Sequence, residues 1–325
     1  MFRLRQGAGR ILRGHRPPAF STAVDAPSSS VRHEIPEENL RAHLERHGVL
    51  KTGQTFTTSQ FLHGQSNPTY TLTVDDVPRF VVRRQPPGDL LPGAHRVDRE
   101  FRVMTALGRP GSTAPVPRTR LYSDDASLVG TPFFVYDFVP GQFHPDPTLP
   151  HAASPAERRA LYNGMADAIA RVHAADVGAI GLADFGKHEG YVGRQIGTWS
   201  RAYVASATSQ MKSMDTLIEK LPSLDPTHNR PVAKVFVTHG DFRLDNMIFR
   251  DESSPSSSVA SSVRPVAGVL DWELSTLADT PQLDLAYACM VFHLPPVEVS
   301  SARAPIQIFS TLNTPSECCG TSSDA

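Results

Sequence analysis

Charged and apolar residues alternate at helical spacing from Glu37 to His47, which predicts a short leading helix. The pattern then changes, and Phe56 to Leu62, Tyr70 to Val74 and Arg79 to Arg84 each read as a strand. A small, polar turn, His63-Gly64-Gln65-Ser66-Asn67-Pro68-Thr69, separates the first two, and an Asp-Asp turn precedes the third. Arg96 to Leu107 returns to helical spacing, with Val97, Phe101, Met104 and Leu107 on one face. The apolar run Pro132 to Val139 predicts a strand ended by Pro140-Gly141. Ser154 as N-cap and Pro155 at the first helical position start a helix that runs to about His173, with Leu161, Met165, Ile169 and Val172 inward. Arg194 to Tyr203, Met211 to Lys220 and the segment from Asp284 to Cys289 read as further helices.

Between these last helices lies the run Val237-Thr238-His239-Gly240-Asp241-Phe242-Arg243-Leu244-Asp245-Asn246, followed by Val269-Leu270-Asp271-Trp272-Glu273. An aspartate, a basic residue two places on and an amide five places on follow one apolar stretch; a second aspartate ends another. Phosphoryl transfer needs this set: a carboxylate for the acceptor hydroxyl's proton, a cation near the γ-phosphate, and an amide plus a carboxylate for Mg²⁺. For Asp241 alone a hairpin turn is the commoner reading, and the coupling to Asn246 and Asp271 reverses it. Asp245 reads as a turn or capping residue, and His239 as a hydrogen-bond partner that orients the loop.

Protein kinases write the first part as H-R-D-x-x-x-x-N and the second as D-F-G. Here the His-Asp and Asp-Asn spacings match, while Gly240 stands for the arginine and Trp272-Glu273 for Phe-Gly. This variant resembles the aminoglycoside phosphotransferase family of small-molecule kinases. The phrases Gly64-Gln65-Ser66-Asn67-Pro68-Thr69-Tyr70, Arg83-Arg84-Gln85-Pro86-Pro87-Gly88, Leu90-Leu91-Pro92-Gly93-Ala94-His95 and Asp271-Trp272-Glu273-Leu274-Ser275-Thr276-Leu277 narrow it. They are similar to the phosphotransferase domain attached to acyl-CoA dehydrogenases of family members 10 and 11.

The resemblance covers roughly Glu37 to Pro295 and implies an α+β, bilobal, protein-kinase-like fold. Its small β-rich N-lobe would span 34–139 and its mainly helical C-lobe, with the catalytic loop, 140–296. Family members continue with further helices, so the C-lobe is expected to be truncated. The implied cofactors are ATP and Mg²⁺. Asp241 would be the catalytic base, Arg243 the charge near the γ-phosphoryl group, and Asn246 and Asp271 the metal ligands. Arg83 stands where kinases place a phosphate-binding lysine, with Glu100 as its partner; a surface Arg–Glu pair is the alternative. Ser66 falls in the turn that would fold over phosphates, though an ordinary hairpin turn fits the same residues. Asp137 to Val139 match, by position only, the hinge whose backbone reads adenine. Glu273 reads either as a reach toward a second metal or as a structural hydrogen bond. The implied acceptor is a small-molecule hydroxyl, a hydroxy acid or hydroxyacyl-CoA, with a functional link to an acyl-CoA dehydrogenase. The rival is a non-catalytic pseudokinase or scaffold with an incomplete acceptor pocket. A metal-dependent hydrolase is a third class, but its His/Asp ligand clusters are not visible.

Composition narrows the partners. The 325 residues are 40% hydrophobic and 20% charged with a formal net charge of −1, which suits a substantial core and gives no footprint for nucleic acid. No stretch approaches the roughly 18 apolar residues of a membrane span. Cys289, Cys318 and Cys319 have neither zinc-finger spacing nor the look of a disulfide framework. Residues 1–33 differ in kind: Arg3, Arg5, Arg10, Arg13 and Arg16 interleave with Phe2, Leu4, Ile11 and Leu12, and Asp25 is the one acid before His33. That is the pattern of a mitochondrial transit peptide, with a disordered basic tail and a cytoplasmic location as the alternative. Ser253 to Ser258 is too polar to pack and reads as a surface loop, and 297–325 as a disordered tail.

Overall fold

The computed structural model describes residues 35–61, 67–88, 90, 95–225, 231–251 and 262–293. Helix α1 (Glu37–Arg46) is followed by β1 (Phe56–Gln60), β2 (Thr69–Val74) and β3 (Val77–Arg84). Then come α2 (Val97–Leu107), β4 (Thr119–Ser123), α3 (Ala126–Val129) and β5 (Phe133–Asp137). These strands form one antiparallel sheet in the order β1-β2-β3-β5-β4. The four predicted strands and both predicted helices of this half stand where the sequence put them. The predicted end of the first strand, Leu62, lies outside the described residues, as does Ser66.

The sheet is covered on both faces, and the two-residue side-chain period of a strand sorts its residues between them. In β5, Phe133 and Val135 join a cluster with Leu40 and Leu44 of α1, while Phe134 and Tyr136 turn to the opposite side. Val82 and Val81 of β3 divide in the same way. On that opposite side Val103, Met104 and Leu107 of α2 pack into a second cluster, which continues into the helical half. The predicted inward Phe101 of α2 is only half-buried and stacks near Tyr122 and Phe134; Val103 takes the core position instead.

The second half holds β6 (Gln142–Phe143), α4 (Pro155–Ala174), α5 (Tyr191–Ser206), α6 (Lys212–Lys220), β7 (Phe236–Thr238), β8 (Met247–Phe249), β9 (Val266–Val269), β10 (Thr276–Ala278) and α7 (Gln282–Met290). Helix α4 starts as predicted: the Ser154 side chain accepts from Glu157 N at 3.1 Å, and Pro155 opens the first turn. Its Leu161, Met165, Ile169 and Val172 are buried against Val237, Met247, Phe249 and Trp272. The short strands pair as β10-β7 and β6-β8-β9, all antiparallel, and carry the loops that follow β7 and β9 side by side. The architecture is α+β and bilobal. Among the described residues no helix is long and apolar enough to cross a membrane. The N-terminal segment, the serine loop and the C-terminal tail lie outside the described residues.

Candidate active site

The loop after β7 is held from beneath. Asp284, in the first turn of α7, is 1% exposed. Its carboxylate accepts from the backbone N–H of His239 at 3.0 Å and of Gly240 at 2.9 Å, and from His173 Nε2 of α4 at 3.0 Å. A buried carboxylate is tolerable only when so satisfied. His239 is fully buried; Nε2 donates to Leu270 O at 2.9 Å and Nδ1 accepts from Asp241 N at 3.2 Å. Acceptance at Nδ1 requires the neutral ring, and burial pushes its pKa down in the same sense. His239 is thus an orienting group with no proton to trade.

Gly240 fills the position kinases give to arginine. Its φ is +88°, and a Cβ there would stand 2.6 Å from Leu274 O, so no L side chain fits without moving the neighbouring loop. Asp241 emerges next to it. Asn246 Nδ2 donates to Asp241 O at 2.8 Å and to Asp241 Oδ2 at 3.1 Å, which leaves Asn246 Oδ1 for another partner. Arg243 Nε lies 3.4 Å from Asp241 Oδ1, and its Nη2 donates to Asp245 Oδ2 at 2.9 Å. Asp245 sits in a short turn with Leu244 and Asn246, in line with its predicted role.

The loop after β9 is tied to this one, because Leu270 N donates to Asn246 O at 2.8 Å. Asp271 therefore stands beside Asn246. Its backbone is left-handed, φ 63°, a conformation that costs a non-glycine residue about 1–3 kcal/mol and clusters at functional sites. Arg83 of β3 reaches it from the other half: Nη2 donates to Asp271 Oδ1 at 2.5 Å and Nε to Glu100 Oε2 at 2.8 Å. The second Glu100 oxygen accepts from Trp272 N at 3.3 Å. The predicted Arg83–Glu100 pair is no surface pair: Glu100 is 1% exposed.

Electrostatically this corner is unbalanced. Three carboxylates, Glu100, Asp271 and Glu273, lie within 3.9 Å of one guanidinium. Burial raises the Glu100 pKa, Arg83 pulls it back, and Asp271 and Glu273 push it up again, which leaves it at about 7. For Arg83, burial acts downward, but Glu100 and Asp271 outweigh it and hold the guanidinium charged. An excess of hard oxygen donors suits a divalent cation. Among the described residues no group of three or more His, Cys, Asp or Glu is arranged to hold one by itself. Mg²⁺ is commonly held that way, by one or two protein oxygens with phosphates and water, and Asn246 Oδ1 and the Asp271 carboxylate fit it.

The hinge residues behave differently. The Asp137 carboxylate is spent on a fork with Arg120, at 2.5 and 2.8 Å, so only its backbone is open to a ligand. The N–H groups of Asp137 and Phe138 donate to Arg118 O and Arg79 O, whereas among the described residues no hydrogen bond engages that of Val139. Three residues escaped the motif reading. Asp284 lies in a helix otherwise read as support, Tyr287 stands one turn later, and Asn67 belongs to the turn. Burial and a hydrogen bond with Asp241 raise the Tyr287 pKa. The signal for the first two was an acid and a phenol three apart, hence on one face of a short helix.

Known proteins are similar to this chain in sequence and in fold. Mouse (Mus musculus) acyl-CoA dehydrogenase family member 10 is 41% identical over 263 residues, which cover 80% of this chain and 23% of that protein. The chain thus spans about a quarter of that relative's length. A solved structure of a presumed aminoglycoside phosphotransferase from Ralstonia eutropha is 36% identical, with a TM-score of 0.66 over 82% of this chain and 73% of that one. A ternary complex of streptomycin, ATP and the phosphotransferase APH(2")-IIa shares the fold at 16% identity, with a TM-score of 0.51 over 79% of this chain and 78% of that one. The signature of the phosphotransferase enzyme family matches residues 57–304, and the chain belongs to that family.

Proposed function

We propose that the chain transfers the γ-phosphoryl group of ATP to a hydroxyl of a small molecule, in the presence of Mg²⁺. The observation that carries this reading is the joined pair of loops: Asn246 is bonded to the Asp241 carboxylate and, through its carbonyl, to the chain that bears Asp271. One group of atoms thereby serves proton removal and the other phosphate charge. The Asp241 carboxylate accepts the acceptor's proton as its oxygen attacks phosphorus in line, and Asn246 Nδ2 keeps that carboxylate turned outward. Arg243 offsets negative charge growing on the transferring group. Arg83, buried and held by Glu100, faces the remaining phosphates. Its bidentate fork replaces a lysine's point charge. Asp137 O and Val139 N–H are the backbone pair assigned to adenine, and Ser66 belongs to the turn assigned to the phosphates. Mg²⁺ bound at Asn246 and Asp271 would neutralise the phosphates.

The ATP of the streptomycin complex supports the nucleotide. The acyl-CoA dehydrogenase name of the mouse relative supports a hydroxy acid or hydroxyacyl-CoA as acceptor, and a functional link to such a dehydrogenase. The arginine-rich N-terminal segment supports a mitochondrial address, with 34–139 and 140–296 as the two lobes. ATP turnover with Mg²⁺ against a panel of hydroxy acids and hydroxyacyl-CoAs tests the reading. Turnover with one of them and none without Mg²⁺ is expected. A chain that binds Mg·ATP and phosphorylates nothing is the non-catalytic scaffold instead.

A further inference from the structure

Glu273 lies two residues beyond Asp271, yet its Oε2 faces three segments of the sheet half. It accepts a 3.0 Å hydrogen bond from Asn67 Nδ2 and stands 3.9 Å from both Arg83 Nη2 and His95 Nδ1. Asn67 enters β2, Arg83 lies in β3 and His95 precedes α2. The Asn67–Glu273 bond spans 206 positions of sequence and joins the two halves at the phosphate side of the site.

Asn67 is an unusual amide. It is 2% exposed, and a buried amide needs partners at both ends. Glu273 satisfies its N–H, while among the described residues neither its Oδ1 nor His95 Nδ1 has a hydrogen-bond partner. An ordinary hairpin turn would leave such a side chain in water. Here it is drawn inward by a carboxylate that belongs to the other half, and a charged acceptor makes that bond stronger than a neutral one. The same carboxylate stands 3.9 Å from Arg83 Nη2, the nitrogen that donates to Asp271, while Nε is held by Glu100, so both ends of the fork face carboxylates.

We propose that Glu273 is a positioning residue for the polyphosphate. It fixes Asn67, and so the chain entering β2, against Arg83 and Asp271. The inference rests on the kinase reading above and adds a residue that acts through Asn67 and Arg83, with no contact to the nucleotide required.

Calorimetric titration of the full chain with Mg·ATP and with adenosine tests it. Glu273→Ala and Asn67→Ala each weaken Mg·ATP binding by about tenfold, the size of one charge-assisted hydrogen bond, and leave adenosine binding within about twofold. The double variant loses little more than either single one, since both remove the same bond. Glu273→Gln still offers an oxygen to Asn67 and recovers most of the affinity. Wild-type Mg·ATP affinity in Glu273→Ala, additive losses in the double variant, or an equal loss for adenosine each overturn the proposal. Should Glu273→Ala fail to fold, Asn67→Ala and Glu273→Gln decide by the same two ligands. Normal Mg·ATP binding by the wild type together with unchanged variants overturns the clamp alone. A wild type that binds neither ligand overturns the nucleotide reading, and the clamp with it.

Discussion

The two sides of the site are built on opposite principles. The Asp241 side is balanced in its supports: backbone N–H groups, an uncharged imidazole and an amide hold the loop, Arg243 faces Asp241 and Asp245, and the buried Asp284 carboxylate is bonded at both oxygens. The Arg83 side is held by charge, with three carboxylates about one guanidinium and a strained Asp271 backbone. A base must be in place before the acceptor arrives, so preorganisation without spare charge suits it. The proposed phosphate and metal site would gain from incomplete charge balance, which incoming ions would complete. One side is finished, and the other awaits its ligand.

Perturbing each side should therefore fail differently. The largest effect belongs to Asp241→Asn, which keeps the shape but removes the proton acceptor: turnover falls by roughly 10²–10⁴ while Mg·ATP affinity changes little. Equal steady-state turnover in both proteins would remove Asp241 from its role. Next comes Asp284→Ala. It strands two buried N–H groups and His173, so denaturant unfolding should show about 3 kcal/mol or more of lost stability. A wild-type midpoint would mean that the loop stands without its support. Asp271→Ala should behave in the contrary way, weakening Mg·ATP about tenfold or more while adenosine binding holds. Parallel loss of both ligands would make the two sides alike.

The smallest effect is a pH dependence confined to the charged side. The folded pKa of Glu100 lies above its unfolded value, at about 7 against 4.5, so the native state binds more protons between those values. Stability then falls as pH rises through that window, because burying the ionised form is unfavourable. Glu100→Gln should flatten this slope in thermal midpoints taken from pH 4.5 to 8. An unchanged slope would mean that Arg83 compensates Glu100 completely.

Much of this contrast could be read from sequence, but unevenly. Asp241, Asn246 and Asp271 are fixed by short spacings after apolar runs, and their grouping follows from local chain geometry. Arg83 and Glu100 were legible only through likeness to kinases, since nothing in strand and helix spacing says that two elements bring them together. Asp284 bonds to residues 44 and 45 positions earlier, and Asn67 to one 206 positions later. No periodicity encodes such partners. The strands of three residues, β7, β8 and β10, are too short for a pattern and form because the loops they carry pair across them. Helices α5 and α6 were found by spacing, yet bury no residue, so amphipathic period alone did not predict what they pack against.

Asp284 has one more consequence. Its two oxygens join α4, the loop after β7 and α7 into a single unit, and the amide hydrogens of His239 and Gly240 are the ones it captures. Those hydrogens can exchange with solvent only when the loop and the Asp284 carboxylate part. The loop that bears the proposed base should therefore open no more often than the core beneath it, so its amide exchange should report on global unfolding rather than on loop motion.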